Sequence, residues 1–440
     1  MMIILKQHMV RFLTLAMSAL LVTSFSPSVA HAAGETINVW TDSGNDDEPL
    51  LKAVAAAFEK ANPTVRVVVN VGPAGVAAVE EIKQKLNAAT MTDDLFVYNA
   101  GSLFQGLDPT KNLVELTNEP WQSQVVSSYY PGVSVGARIY GAPFGSAMGG
   151  GILYNKAVYK DLKLKIPLTW KAFMENNAKV KKAGLIPVIQ TYGDSWSAQV
   201  LLLADSFNLQ AAVPTFAALY TSNRVKMSEV PAALAGFQHL ADIHEAGYQN
   251  KDFARAKLVD GLTYLINGQG AHYPMLSFVA RDLEKMDPKL ADNIGIFAEP
   301  GPSAKSNGLT IWMPNALFIP NTTKHLPTAR NFISFALSKA GVTAMNAAVA
   351  PSGPYLLKGG KLTGDLSQIT QDMARYLNGE AKTAPALEFV TPIKGPNLPK
   401  ISVRVGSGID SALQGATSYD LDVTRESQRL RLPGWGKLPG

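Results

Sequence analysis

The chain has 440 residues, of which 47% are hydrophobic and 17% are charged. This composition is typical of a globular protein with a sizeable core and excludes a disordered or collagen-like chain. The absence of cysteine excludes disulfides, thiolate metal ligands, a cysteine nucleophile and a lipid-bearing cysteine. The formal net charge of +5 is small and evenly spread, so it does not indicate nucleic-acid binding. A chain of this length is expected to form two or three domains.

The first 32 residues have the pattern of a secretory signal peptide. Lys6 and Arg11 precede a mostly apolar run, Phe12–Val22, and the segment Ala30–Ala32 offers the small-x-small pattern that a signal peptidase needs. A retained membrane anchor is the alternative, but the run is too short to span a bilayer comfortably. We therefore expect a soluble periplasmic protein, and not a lipoprotein, because there is no cysteine to carry a lipid.

The mature chain opens with strands that alternate with helices. The patterns predict a strand, a helix, a strand, a helix and a strand, over Ile37–Trp40, Pro49–Ala61, Val65–Val71, Val76–Leu86 and Leu95–Tyr98. Because parallel strands need a crossover connection, usually a helix, this order predicts a parallel sheet.

Ligands of open parallel sheets bind beyond the carboxyl ends of the strands. Trp40, Asp42 and Ser43 lie at the end of the first predicted strand, and Asn99 lies at the end of the third. These loops are therefore the first candidates for a binding site.

The rest of the chain is predicted to contain further helices and strands. They are a helix Trp170–Lys182 behind the N-cap residue Thr169, a strand Ile186–Ile189, helices over 232–246 and 259–266, a strand Ile294–Phe297, a strand-like stretch Leu309–Ile319 and a helix Ala329–Ser338. Segments rich in Gly and Pro near 140–148, 298–304 and 349–355 are candidate crossings between domains. The end of the chain, Leu432–Gly440, is predicted to be frayed.

Several local patterns together resemble one protein family. The segment 140–144, Tyr-Gly-Ala-Pro-Phe, is followed by Leu-Tyr-Asn-Lys at 153–156 and by Pro-Leu-Thr-Trp-Lys-Ala-Phe at 167–173. In this order, the chain resembles the extracellular solute-binding proteins of ABC importers, in the carbohydrate-type branch that includes maltose-binding proteins. The resemblance covers nearly all of residues 35–415.

The resemblance implies an α/β fold of two lobes, each a mostly parallel sheet flanked by helices, with a ligand cleft between them. Lobe one would comprise residues 35–146 plus 300–348, and lobe two residues 147–299 plus 349–440. It also implies that ligand closes the hinge and that the closed form docks on a membrane permease.

A sugar ring needs a flat aromatic surface for its C–H face and planar polar groups for its hydroxyls. We expect the ligand-binding residues to come from a set of aromatic and small polar side chains: Trp40, Asp42, Ser43, Asn99, Ser146, Trp196, Tyr273, Trp312 and Ser352. The alternatives are core packing for the aromatic residues and turn formation or helix capping for Asp42 and Asn99.

No reactive constellation is visible in the sequence. There is no Gly-x-Ser-x-Gly elbow and no His-Glu-x-x-His motif, and His239 and His244 are five apart, the wrong spacing for one helix face. We therefore expect no catalytic residue, no cofactor and no metal site. The predicted function is a monomeric periplasmic receptor that delivers a carbohydrate to an ABC permease. A charged non-sugar solute is one alternative as the ligand, and a secreted carbohydrate-active enzyme is the other alternative, since two distant acids can meet in a fold.

Overall fold

A computed structural model describes residues 34–43, 46–359, 366–377 and 382–436. The predicted signal peptide lies outside the described residues. Among the residues described, no helix has both the length and the apolar character needed to cross a membrane.

The strands of the described residues belong to two large sheets and one small hairpin. In chain order they are β1 Glu35–Asp42, β2 Val65–Gly72, β3 Leu95–Tyr98, β4 Ser134–Val135, β5 Arg138–Ile139, β6 Gly141–Phe144, β7 Met148–Asn155, β8 Ile186–Val188, β9 Gly270–Leu276, β10 Ile294–Phe297, β11 Gly308–Trp312, β12 Asn315–Phe318 and β13 Lys382–Pro385.

Helices surround both large sheets. They are α1 Asp47–Ala61, α2 Val76–Asn87, α3 Ser102–Gln105, α4 Pro109–Asn112, α5 Lys156–Asp161, α6 Trp170–Lys182, α7 Val200–Ala204, α8 Ser206–Ala212, α9 Phe216–Thr221, α10 Pro231–Glu245, α11 Leu258–Ile266, α12 Ala280–Met286, α13 Pro288–Ala291, α14 Leu326–Ala336, α15 Lys339–Ala348, α16 Gln368–Leu377, α17 Leu398–Gly406 and α18 Ala412–Arg429. Short 3-10 helices cover Pro120–Gln124, Ser127–Val133, Ser195–Gln199, Ser277–Val279 and Leu387–Phe389.

The sheet of lobe one has the order β2-β1-β3-β12-β6. The first three strands are parallel, and β12 is antiparallel to both β3 and β6. Helix α1 packs on this sheet through a regular apolar stripe. Its Phe58 ring contacts Phe332 and Phe335, both of α14, edge-on, with ring centroids 5.2 and 5.4 Å apart. The helices thus fix the strands whose ends border the cleft.

The sheet of lobe two has the order β13-β11-β7-β9-β8. Strand β7 is its long central strand: β11 pairs with its first half, β10 pairs with its second half, and both are antiparallel to it. Strand β9 covers the other side of β7, also antiparallel, while β8 and β13 add parallel edges. The two-lobe α/β architecture is thus confirmed, but both sheets are mixed rather than mostly parallel.

The second crossing lies later in the chain than the sequence predicts. The stretch Leu309–Ile319 is not one strand: β11 pairs with β7 in lobe two, whereas β12 pairs with β3 and β6 in lobe one. The chain therefore passes between the sheets at Met313–Pro314, and not at 298–304. The apolar residues of this stretch do not indicate a switch between sheets. The one local indication is Pro314, which has no N–H to donate to a sheet ladder.

Three crossing segments lie side by side. The link from β6 to β7 runs next to the link from β11 to β12, because Phe144 pairs with Asn315 and Met148 with Trp312. The third segment joins them where the N–H of Ala147 donates to the carbonyl of Pro354 at 2.8 Å. The predicted segment near 140–148 contains the β6–β7 link, and the segment near 349–355 contacts this link. Beyond it, Leu357 bridges Val125 and the N–H of Lys358 donates to the carbonyl of Gln124 at 2.7 Å, so the described chain is still on lobe one at Lys358.

The end of the described chain is packed rather than frayed. Trp435 is buried, its Nε1–H donates to the carbonyl of Thr221 at 2.8 Å, and the Lys226 ammonium lies 4.4 Å from its ring centroid. The Gly and Pro residues around Trp435 suggested a free tail, but one large aromatic residue is enough to anchor such a segment.

Candidate functional site

The direction of the strands defines two edges that face the hinge. Strand β6 runs into the hinge and β3 runs the same way, because both are antiparallel to β12. Strands β1 and β2 are parallel to β3, so their carboxyl ends also lie on the hinge side. In lobe two, β7 leaves the hinge, so β9 and β11, antiparallel to it, end there. We refer to the residues after these strand ends as the two cleft edges.

The edge of lobe one carries a row of side-chain amides and carboxylates. The amide of Asn99 donates to Oδ1 of Asn315 at 3.2 Å, and the amide of Asn315 donates to Oδ2 of Asp47 at 2.6 Å. Asn99 is exposed, and the backbone carbonyl of Asn315 is held by the hydroxyl of Tyr129 at 3.1 Å. The structure therefore brings the predicted residue Asn99 into a polar row with two residues that the sequence did not single out.

Asp42 and Ser43 also lie at the edge of lobe one. Asp42 ends β1 and is half-buried, and Ser43 follows it and is exposed. Both residues therefore lie at the carboxyl end of β1, the end that faces the cleft.

Trp40 and Tyr273 lie in the packed interior of the lobes. Trp40 is 2% exposed and its ring covers Gly72, where an added Cβ would come within 2.3 Å of the indole. Tyr273 is 1% exposed, its hydroxyl bonds to that of Thr191 at 2.7 Å, and its burial raises the pKa of the phenol above the ordinary value. Neither ring presents a free face to a ligand in this structure. Both residues are packed in the core, which was the alternative to ligand binding.

Trp196 supplies an open aromatic surface at the edge of lobe two. It follows β8, is 36% exposed, and packs beside Phe278, which follows β9, with ring centroids 6.2 Å apart. Aromatic residues that are partly exposed beside one another offer the apolar platform that a sugar face requires.

Trp312 lies at the end of β11 with its polar edge fixed. Its Nε1–H donates to Oε1 of Glu388 at 2.8 Å, and Lys394 pairs with the other oxygen of this carboxylate. Its ring lies against Gly150, where an added Cβ would come within 2.0 Å of the indole. Glu388 follows β13 and its backbone touches Gly101 of lobe one, so it is an edge residue that sequence analysis missed.

Ser146 and Ser352 hold the hinge segments together. The N–H of Ser352 donates to Oγ of Ser146 at 3.1 Å, and the two hydroxyl oxygens lie 3.3 Å apart. The carbonyl of Ser352 accepts a hydrogen bond from Ser277 at 2.8 Å. These contacts place both predicted serines in the hinge segments, where Ser146 follows β6 and Ser352 follows α15.

One ion pair connects the two edges directly. Asp46, at the start of α1 in lobe one, pairs with Arg281 of α12 in lobe two, and both side chains are about 30% exposed. Asp46 makes no side-chain cap for α1, so its carboxylate serves the contact between lobes. The sequence could not show this pair, because the two partners lie 235 residues apart in the chain.

The fold, the three crossings and the polar and aromatic edges define a two-lobe receptor for a small solute. The family model of bacterial extracellular solute-binding proteins matches residues 41–343. The chain belongs to this family, and the resemblance found in the sequence is confirmed.

Two curated proteins are similar over about two thirds of their length. The multiple sugar-binding protein of Streptococcus mutans is 26% identical over 66% of this chain and 68% of its own. An uncharacterized ABC transporter extracellular-binding protein of Pyrococcus horikoshii is 24% identical over 64% of each chain.

Solved structures share the fold over most of the chain. A chitin oligosaccharide binding protein has a TM-score of 0.71 at 19% identity and covers 89% of this chain and 99% of its own. A solute-binding protein in complex with raffinose has a TM-score of 0.69 at 20% identity, with coverages of 87% and 98%.

Proposed function

We propose that the protein captures a carbohydrate in the cleft between its lobes, outside the cytoplasm, and delivers it to the membrane permease of an ABC importer. The observation that carries this proposal is the pairing of an open aromatic surface, Trp196 with Phe278, on one cleft edge with the polar row that includes Asn99 and Asn315 on the other. The sugar ligands named for the similar proteins support it.

The charges at the edges favour a neutral ligand over a charged solute. Arg281 is engaged by Asp46, and Lys394 is engaged by Glu388. An anion would need cations that are free to bind it, and both of these already have a carboxylate partner. We therefore favour a sugar over an anionic solute.

The receptor acts by binding alone in this proposal. Ligand is held by stacking and hydrogen bonds, and closure of the lobes around it signals occupancy to the permease. The protein is proposed to be monomeric and periplasmic, exported by the predicted signal peptide.

A thermal-shift screen tests the proposal. The panel contains mono- and oligosaccharides, polyols, sugar phosphates and polyamines, and each ligand is recovered and analysed afterwards. A ligand at 100 times its dissociation constant should add about 2.7 kcal/mol to the free energy of unfolding, a shift of several degrees. A sugar that shifts the melt and is recovered unchanged supports the proposal.

Two other outcomes contradict it. If only charged solutes shift the melt, the receptor fold stands and carbohydrate is wrong. If the sugar is consumed, the protein is an enzyme, the alternative that sequence analysis kept open.

A further inference from the structure

The interior of lobe two buries three titratable side chains next to one another. Asp205 lies between α7 and α8, His239 lies on α10, and Glu299 follows β10. All three are buried, and one donor atom from each lies within 4.8 Å of the others. They are distinct from the candidate ligand contacts described above, although β10, which is antiparallel to β7, runs toward the hinge side of lobe two.

The hydrogen bonds within this group leave oxygen atoms without partners. His239 Nδ1 lies 2.9 Å from Oε1 of Glu299, and the amide of Asn208 donates to Asp205 at 2.8 Å. Oε2 of Glu299 and Oδ1 of Asn208 are fully buried and have no hydrogen-bond partner. A buried oxygen without a partner costs about 1–3 kcal/mol, and more if it is charged.

The charge of the group is also uncompensated. Among the described residues, neither carboxylate has a Lys or Arg partner. Two carboxylates buried side by side repel each other when both are ionised, unless a cation lies between them.

A small cavity reaches the group. Asp205 lines it together with Ser206 and Leu209, and its other walls include Glu388 and Lys394. It has room for one or two water molecules. The cavity borders the group on the side of Asp205, and neither His239 nor Glu299 lines it.

The histidine is held in a fixed orientation. Its ring stacks on Trp170 with the centroids 3.6 Å apart, and the indole N–H of Trp170 donates to Asp242 at 2.8 Å. This stacking restrains the plane of the imidazole ring.

We propose that Asp205, His239 and Glu299 form a structural site for one divalent transition-metal ion, with Zn²⁺ as the best match. One imidazole nitrogen and two carboxylate oxygens, with water in the open position, are donors that Zn²⁺ accepts. Two carboxylates and a divalent ion give a neutral group in a dry environment. The site ties the α7–α8 turn, α10 and the segment after β10 to one another.

Metal-binding measurements on the full secreted protein test the proposal. The protein is stripped with a chelator and titrated with Zn²⁺, Mn²⁺, Ca²⁺ or Mg²⁺ alone, and bound metal is counted by mass spectrometry. We expect one equivalent of Zn²⁺ and a higher melting temperature. Glu299→Gln and Asp205→Asn should each weaken binding at least ten-fold, whereas His244→Gln, which changes a half-buried histidine of the same helix, should leave it unchanged.

Glu299→Gln also distinguishes the opposite account, a protonated group held by hydrogen bonds alone. Glutamine imitates the protonated acid, so this variant folds in either case. If the stripped protein takes up no stoichiometric metal, or if Glu299→Gln retains the wild-type affinity, the proposal is overturned.

Discussion

At the scale of single residues, the open ring of Trp196 is the most direct candidate for a sugar contact. Trp196→Ala should weaken the affinity for the sugar roughly 3- to 10-fold, the equivalent of about 0.5–1.5 kcal/mol for an aromatic contact. Isothermal titration measures this change. Leu168→Ala, which removes another exposed apolar side chain of lobe two, should not alter the affinity, and an equal loss in both variants would contradict a specific role for Trp196.

Gly150 is required by the ring that covers it. An added Cβ would come within 2.0 Å of the Trp312 indole, so Gly150→Ala should lower the free energy of unfolding by about 1–3 kcal/mol through overpacking. Urea unfolding measures the loss. Gly106→Ala is the control, since an added Cβ at position 106 would lie 3.2 Å or more from its nearest neighbours. A Gly150→Ala protein as stable as this control would show that the Trp312 side chain can move aside.

Sequence reasoning predicted the positions of two candidate site residues from the ends of strands. Asn99 follows β3 and Asp42 ends β1, and both strand ends lie at the cleft edge; that these residues contact the ligand stays a prediction. Asn315, Glu388 and Arg281 were missed because their partners are distant in the chain, and a local pattern contains no information about such pairs. Trp40 and Tyr273 were proposed for the cleft on residue type, but type alone does not tell a ligand platform from a core residue.

At the scale of elements, the C-terminal segment forms part of lobe two. Trp435→Ala should lower the free energy of unfolding by about 3 kcal/mol, because it removes a buried indole and its hydrogen bond to Thr221. Thermal unfolding measures this loss. An unchanged melting temperature would mean that the segment is detached in solution.

The helices and strands near the start of the chain were predictable from their periodicity. Strand β1, helix α1, strand β2 and strand β3 appear where the sequence places them, within a few residues at their ends. The division of 309–319 into β11 and β12 was not predictable, since both halves are apolar and only their pairing differs. Pairing depends on which strands lie nearby in space, which a single sequence does not reveal.

At the scale of the whole molecule, the pair Asp46–Arg281 connects the lobes across the cleft. Arg281→Ala should favour separation of the lobes and weaken sugar binding by up to about five-fold, since a partly exposed ion pair contributes about 0.2–1 kcal/mol. Calorimetry measures the affinity, and solution X-ray scattering measures the separation. Arg138→Ala is the matched control, because it removes an exposed pair with Glu115 within lobe one. Equal behaviour of the two variants would contradict a role for the pair between lobes.

We propose that a carbohydrate binds between the two cleft edges. The most direct measurement is a crystal structure of the protein with the sugar found by the screen. We expect the sugar at the hinge side of both sheets, against Trp196 and within hydrogen-bond distance of the polar row that includes Asn99 and Asn315. A sugar bound elsewhere on the molecule, with none in the cleft, would contradict this placement.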